Sequence, residues 1–513
     1  MKELDALLRD KVRMLGNALG NTIRNDLGED TLAQIAQDAP NEDPVLYARR
    51  LVAQRCLYGV DKNDAAVELA KLSLWLFTLA RDMPFTFLDH ALRHGDSLVG
   101  LSFEQIRSFT WEPVKKGQQV ALARTELDQA LEEAIPIRQE ILALAKDGTA
   151  EGQARKARLV ADAADALGRT RLIGDLIVGA FFAEKKKKAR AAELERRWGL
   201  VQRWLRGADE DGWADVDAEV RQLQAEIREQ LPVFHWMLEF PEVFWSERPD
   251  PLAAWETDGE AYMDAFVGNP PFLGGSSISS NYGPGYRDWL LDSHPGSHGN
   301  ADLCAHFFRR VHGLLGAHGT FGLISTNTLS QGDTRESGLK QLLAAGVSLY
   351  DATTTMLWPV GSAAVAVSLI HGAAGEPRSH AQPTLDGKAV EVINSRLRMT
   401  PERPDPKSIA TNRSLYFGGA KIYGQGFLLT PEERDQVLFH MAECERVVRP
   451  YIGGKELNSN PTQGFDRYVI NFGRMSLSEA EHFGPALAVV RKKVKPERVW
   501  IALGAREGGV ASA

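Results

Sequence analysis

The segment CLYGVDKN at residues 56–63 is a short apolar run ending in an acidic, polar turn, and AAVELAKLSLWLFTLA follows at once with apolar residues at helical spacing. This pattern predicts a buried strand, a turn and an amphipathic helix, with Asp64 capping or favouring the helix start. MPFTFLDH at 83–90 reads as a second strand leading into the turn HGDSLVG. The repeated order of strand, acidic turn and helix favours an α/β sheet domain.

The rest of the chain divides by changes in pattern. Residues 1–105 read as N-terminal helices, with an acidic, proline-containing interruption at EDTLAQIAQDAPNEDP, followed by the first sheet elements. Residues 106–233 read as a helical insertion, in which AELERRWGLVQRWL and VDAEVRQLQAEIREQL carry interspersed charges. Lys185, Lys186, Lys187 and Lys188 fall in that insertion; a solvated helical face explains them, and contact with DNA phosphates is the narrower reading. Residues 234–375 return to α/β character through FHWMLEFPEVFW, YMDAFVGNPPF, a helix at ADLCAHFFRRVHGLL and strands at FGLISTNTL, GVSLYDATTTMLWP and AAVAVSLIHG. Residues 376–513 read as a connector and a smaller domain, with one strand candidate in KAVEVINSRLRM and glycine-rich turns in SLYFGGAKIYGQGFLL and PYIGGKELNSNP.

With 513 residues the chain is long enough for a substantial core, and its 44% apolar and 25% charged content is ordinary for a globular protein. Cys56, Cys304 and Cys444 make neither a disulfide framework nor a metal-ligand spacing, which favours a reducing, cytoplasmic setting. Neither a long apolar segment nor a secretory leader pattern is present, so membrane insertion and secretion are not expected. The net charge of -8 does not advertise nucleic acid binding, although an acidic body can still carry a basic cleft.

Asp61 and Asp96 are the candidate cofactor contacts. A carboxylate at the carboxyl end of a parallel strand accepts hydrogen bonds from both hydroxyls of a ribose, and one beyond the next strand can reach an adenine amino group. A turn or helix-capping role for Asp61 and a loop role for Asp96 are the plain alternatives. A glycine-rich turn ordinarily precedes such an arrangement. Gly16, Gly20 and Gly28 lie in helical sequence with no strand before them.

Asn269, Pro270, Pro271 and Phe272 follow the strand-like DAFVG and form the strongest local signal. The Asn269 side-chain oxygen and the Pro270 carbonyl can accept two hydrogens from a planar amino group, proline fixes a rigid turn, and Phe272 can stack on a base withdrawn from a duplex. Such a site works by orientation and needs neither a metal nor a covalent nucleophile. A rigid strand exit with a core-facing Phe272 is the structural alternative. Gly274 and Gly275 permit closure over a substrate or serve as ordinary loop glycines.

CLYGVDKNDAAVELAKLSLWL, TFLDHALRHGDSLVG, FHWMLEFPEVF and VGNPPF occur in the order found in large adenine-specific DNA methyltransferases of single-chain restriction-modification and phage-defence systems, and the chain resembles that family over most of its length. The resemblance implies an incomplete Rossmann-like class I methyltransferase fold, α/β in class, with a large helical insertion and a partial C-terminal DNA-recognition domain. It implies S-adenosylmethionine as methyl donor, with Asp61 on its ribose and Asp96 at its adenine end. It further implies adenine-N6 methylation of double-stranded DNA, with a flipped adenine held by Asn269 through Phe272. The chain departs from the family in lacking the DPAxGSGxF-like loop before Asp61 and in stopping soon after VKPERVW, an appearance of truncation at both ends. Activity of the isolated chain is therefore in question, and a complementing N-terminal or C-terminal polypeptide and restriction or defence subunits are the expected partners.

His235 reads as a structural histidine near aromatic residues, and His94, His294, His298 and His306 lack ligand spacing, so no metal is expected. Lys455 and Glu456 read as surface loop charges, and no nuclease motif of paired carboxylates and lysine is evident. A noncatalytic DNA-binding or assembly subunit, an inactive fragment, and an enzyme acting on RNA or a protein amide remain as competing readings.

Overall fold

The computed structural model describes residues 43–78, 88–114, 121–144, 149–207, 211–244, 262–357, 366–375, 382–404, 425–453 and 464–507, with short pieces at 409, 422 and 461–462. The helices expected over residues 1–42, the MPFTF portion of the second strand candidate, the SLYFGGAK segment, the Lys455–Glu456 pair and the final six residues lie outside these ranges. Among the described residues no helix is long and apolar enough to cross a membrane.

Helix α1 (Pro44–Arg55) precedes strand β1 (Gly59–Asp61) and helix α2 (Asp64–Phe77). Asn63 caps α2, its side chain accepting from Ala65 N at 3.0 Å, so Asp64 sits in the first turn, where its charge suits the positive end of the helix dipole. Of the expected second strand only Leu88–His90 lies in the described residues, and it forms a turn; β2 (Leu92–His94) follows it and pairs parallel with β1, Gly59 opposite Leu92 and Asp61 opposite His94. Leu88, fully buried, packs with Ala53 and, less deeply, with Leu74, Trp75 and Leu92. A turn closed by the Ala91 N to Leu88 O hydrogen bond replaces extended backbone there.

A short helix, α3 (Phe103–Arg107), leads to the five helices of the expected insertion: α4 (Ala121–Ala143), α5 (Ala150–Ala166), α6 (Gly168–Ala183), α7 (Lys187–Leu205) and α8 (Trp213–Gln230). Helix α6 is apolar around most of its circumference, and such a helix belongs inside a core. Leu172, Ile173, Leu176, Ile177, Val178 and Phe181 of α6 lie in one cluster with Leu98, Leu101, Trp236, Tyr286, Trp289 and Leu303. The inserted helices therefore share a core with the elements on either side of them. Lys185 through Lys188 are exposed.

FHWMLEFPEVF forms two single helical turns, α9 (Trp236–Glu239) and α10 (Pro241–Phe244), after which come β3 (Met263–Gly268), α11 (Gly275–Tyr282), α12 (Pro284–Ser293), α13 (Leu303–His312) and β4 (Leu315–Thr326). Then follow α14 (Gly332–Ser337), α15 (Leu339–Ala344), β5 (Ser348–Leu357), β6 (Ala366–Ala373), β7 (Thr384–Leu385) and β8 (Lys388–Ala389). The larger sheet has the order β3-β4-β6-β5-β7-β8 and is mixed: β3 and β4 run parallel, while β6 lies antiparallel between β4 and β5. Among the described residues β1 and β2 stand apart as a two-stranded sheet, where the sequence favoured one. In KAVEVINSRLRM only Lys388 and Ala389 are extended into a strand, because Asn394 folds the segment back, its side chain accepting from Arg396 N and Arg398 N.

The chain divides into two compact units at Arg403. The second contains β9 (Leu428–Leu429), α16 (Pro431–His440), β10 (Val448–Tyr451), β11 (Arg467–Ile470), α17 (Leu477–Glu481) and α18 (Gly484–Glu507). Its antiparallel sheet has the order β10-β11-β9, and its own core includes Leu429, Val437, Cys444, Val447, Ile470 and Phe483.

Candidate functional site

The carboxyl ends of β1 and β3 open into one cavity of about 630 Å³. Asp61 and Asp96 line it together with Asn269, Pro270 and Pro271. Two strand ends some two hundred residues apart are thus brought together, each carrying one of the polar groups singled out in the sequence. Phe272 does not line the cavity; it lies beyond the turn and is partly exposed.

Asp61 closes a local turn: its Oδ1 accepts from Asn63 N at 2.7 Å while the residue remains exposed. The turn reading of Asp61 and its position at the cavity are therefore compatible, since a carboxylate has a second oxygen and further lone pairs. Asp96 is placed differently. It is buried, and its carboxylate accepts from Lys62 Nζ at 2.7 Å, from Leu98 N at 3.0 Å and from the Tyr286 hydroxyl at 3.0 Å. Much of its accepting capacity is already used by the protein.

Lys62, Tyr282 and Tyr286 were not singled out by sequence. Lys62 Nζ lies 4.1 Å from the ring centroid of Tyr282 and 4.9 Å from that of Tyr286, and the two rings stack at 4.8 Å. A cation held over aromatic faces and against a carboxylate gains from both. Burial, then the negative charge of Asp96, pushes the Tyr286 hydroxyl well above the usual tyrosine range, so it stays a donor. The Lys62 position beside Asp61 was available as a sequence signal; the two tyrosines, more than 180 residues later, were not.

The walls are mainly apolar, with Val60, Trp236, Phe266, Leu303 and Phe307 among them. Trp236 ties the two sheets together: its Nε1 donates to Ser97 O at 3.1 Å, and its ring centroid lies 5.6 Å from that of Phe266. Arg310 also lines the cavity. Burial pulls its guanidinium down to about 10, Asp96 opposing that shift, and its buried Nε has no hydrogen-bond partner.

The glycines after the Asn-Pro-Pro turn separate in role. A Cβ on Gly274 would meet nothing within 4 Å, whereas one on Gly275 would lie 2.4 Å from the Asn300 carbonyl carbon. Gly275 is required by close backbone packing. The adjacent loop is pinned to the start of α13 by the Leu303 N to Leu273 O bond.

His235 lies outside the cavity and is fully buried. Its Nδ1 accepts from Leu101 N at 3.0 Å, which leaves Nε2 as the donor toward Asp175 at 3.3 Å. Arg228 and Gln224 complete the Asp175 contacts, an arrangement that suits the structural reading of His235. His294 and His306 are brought together with their Nδ1 atoms 3.1 Å apart, a pairing their sequence spacing did not announce. Among the described residues no group of three or more His, Cys, Asp or Glu gathers to hold a metal.

A mixed α/β unit in which two strand ends converge on a mainly apolar cleft is the class of protein so defined. Residues 55–345 match the family model of the Eco57I restriction-modification methylase, and the chain belongs to that family. Among solved structures it is similar to the Type IIL restriction-modification enzyme MmeI in complex with DNA, at 20% identity and a TM-score of 0.36, over 53% of this chain. The match spans 38% of that protein's chain. No curated protein matches the chain.

Proposed function

We propose that this chain is an S-adenosylmethionine-dependent, adenine-N6-specific DNA methyltransferase of restriction-modification or phage defence, built on a Rossmann-like class I core. The observation that carries the reading is the opening of Asp61, at the end of β1, and Asn269-Pro270-Pro271, after β3, into one cavity. Membership in a restriction-modification methylase family supplies the reaction class.

The residues present fit a nucleoside-containing methyl donor. The cavity lies within the usual size range of small-molecule sites, its walls are largely apolar, and Asp61 offers a carboxylate oxygen at its mouth. In this reading Asp61 accepts from ribose hydroxyls, while Asp96 faces the adenine end and, through Lys62 and Tyr286, holds that wall in place. S-adenosylmethionine supplies an electrophilic methyl group when bound.

Asn269 and the Pro270 carbonyl accept the two amino hydrogens of a flipped adenine, fixing the direction of the nitrogen lone pair. Orientation of this kind can account for a large part of a rate enhancement. Phe272, partly exposed beyond the turn, stacks on the extruded base. The region from 376 onward is assigned to a connector and the start of DNA target recognition.

The test is incorporation of labelled methyl groups from S-adenosylmethionine into mixed-sequence duplex DNA, by the purified chain alone and with host extract or a candidate complementing polypeptide. Label at adenine N6 that disappears in Asn269→Ala, with unchanged folding, is the expected result. Unchanged turnover in that variant removes Asn269 from its role. The competing reading is a noncatalytic DNA-binding or assembly subunit. Tight DNA binding without label under any of these conditions would establish it.

A further inference from the structure

Three donors among the described residues serve the Asp96 carboxylate, and they differ in freedom. Leu98 N, two residues further along the chain, donates to Oδ1 at 3.0 Å. The Tyr286 hydroxyl, on a buried residue, stands 3.0 Å from both oxygens. Backbone and packing fix those two. The third donor is Lys62 Nζ, 2.7 Å from Oδ2, at the end of a flexible aliphatic stem; its side chain is 35% exposed, against 3% for that of Asp96.

The Lys62 backbone is held independently of its ammonium. Its carbonyl oxygen accepts from His94 Nε2 at 3.0 Å, and the next amide, Asn63 N, donates to Asp61 Oδ1 at 2.7 Å. Side-chain rotation alone can therefore carry the ammonium off Asp96 while β1, the turn and the start of α2 stay in place. A resting place is already in contact with it. The Tyr282 ring centroid lies 4.1 Å from Nζ, and a cation over such a face is stabilised without any carboxylate.

Lys62, Asp96, Tyr282 and Tyr286 all line the cavity. An ammonium is a charge-assisted donor and holds a carboxylate more strongly than the neutral amino group of a purine does. Leu98 N and the Tyr286 hydroxyl already use part of the accepting capacity of Asp96, so a purine amino group and Lys62 compete for what is left.

We propose that Lys62 is an internal competitor for Asp96, which sets the affinity and selectivity of the cavity for ligands that carry an adenine amino group. In the ligand-free chain the ammonium neutralises the buried carboxylate. When an amino group donates there, Lys62 gives up Asp96 and remains over the Tyr282 ring. This rests on the reading of Asp96 as the contact for the adenine end of the methyl donor. A competing lysine and a merely structural one differ in sign: loss of the structural one weakens binding or leaves it unchanged, whereas loss of the competitor strengthens it although the empty fold gives up an ion pair.

The experiment is calorimetric titration of the full chain with S-adenosylhomocysteine and with an analogue in which hydrogen replaces the adenine amino group. Lys62→Met, which keeps much of the stem, is expected to bind the amino-bearing ligand about tenfold more tightly, to gain nothing for the analogue, and to melt at a lower temperature when empty. Lys62→Arg, whose planar fork can grip both carboxylate oxygens, should bind S-adenosylhomocysteine about tenfold more weakly, so the test does not depend on the methionine variant folding. Unchanged or weaker binding by a folded Lys62→Met, an equal gain for both ligands, or no weakening in Lys62→Arg overturns the proposal and leaves the methyl-donor reading intact. Absence of binding of either ligand by all three chains overturns both.

Discussion

The hydroxyl of Tyr286 stands 3.0 Å from both carboxylate oxygens of Asp96, a residue 190 positions earlier in the chain. This contact fixes α12 against the turn after β2 and forms one wall of the candidate site. Replacing Tyr286 with Phe leaves a buried carboxylate with Lys62 and Leu98 N as its remaining partners. The expected cost is about 1–3 kcal/mol of stability, read by urea unfolding. A change within a few tenths of that measurement's scatter would mean that Lys62 and water compensate fully.

Arg138 of α4 and Glu242 of α10 form an ion pair in which both side chains are almost completely buried. Removing one partner strands the other charge, so Arg138→Leu is expected to cost on the order of 3–5 kcal/mol. The double variant Arg138→Leu/Glu242→Leu should be markedly less destabilised than the single one. Equal losses in the two would show that packing of the arginine stem, and not the orphaned carboxylate, sets the cost.

Burial holds His294 well below the ordinary histidine value and His306 at about 4, with neighbouring positive charge adding to both. Both rings are therefore neutral in the fold while the unfolded chain takes up protons near 6.5. The stability contribution is full above pH 6.5 and declines as pH falls toward 4, by roughly 3 kcal/mol for His306 alone. Thermal unfolding at pH 7 and pH 5 should show this loss, and His294→Gln/His306→Gln should flatten it. A double variant with unchanged acid sensitivity would assign the effect to other groups.

Gly275→Ala drives a methyl group to 2.4 Å from the Asn300 carbonyl carbon and 2.6 Å from its Cα. Backbone has to move on one side or the other, at an expected cost of about 1–3 kcal/mol. Gly274→Ala, which meets nothing, should be close to neutral. Comparing the two by chemical denaturation separates packing from a general need for flexible glycines, for which the two losses would be alike.

The local elements of the site were legible. Alternation of a short apolar run, an acidic turn and a helical period is a property of consecutive residues, so β1 and α2 could be read around Asp61. The same holds for β3 before Asn269 and for α13 leading into β4. The end of the second strand candidate, Leu88–His90, is a turn, and a strand at Leu92–His94 was not read, because Leu88 looked like part of an extended run. Its burial against Ala53 and Leu74 made a turn more favourable there.

By itself the sequence determined that a strand, an acidic turn and a helix surround Asp61 and that a strand precedes Asn269, since strand and helix periods, turn residues and rigid prolines act over a few positions. Only the tertiary structure decided that Asp61 and Asn269 share a cavity, that Asp96 is engaged by Lys62 and Tyr286, and that His294 meets His306. It also placed α6 inside the core common to the inserted helices and the elements beside the cavity. Such relationships depend on long-range packing, where burial and loop closure select partners that no local pattern of residues specifies.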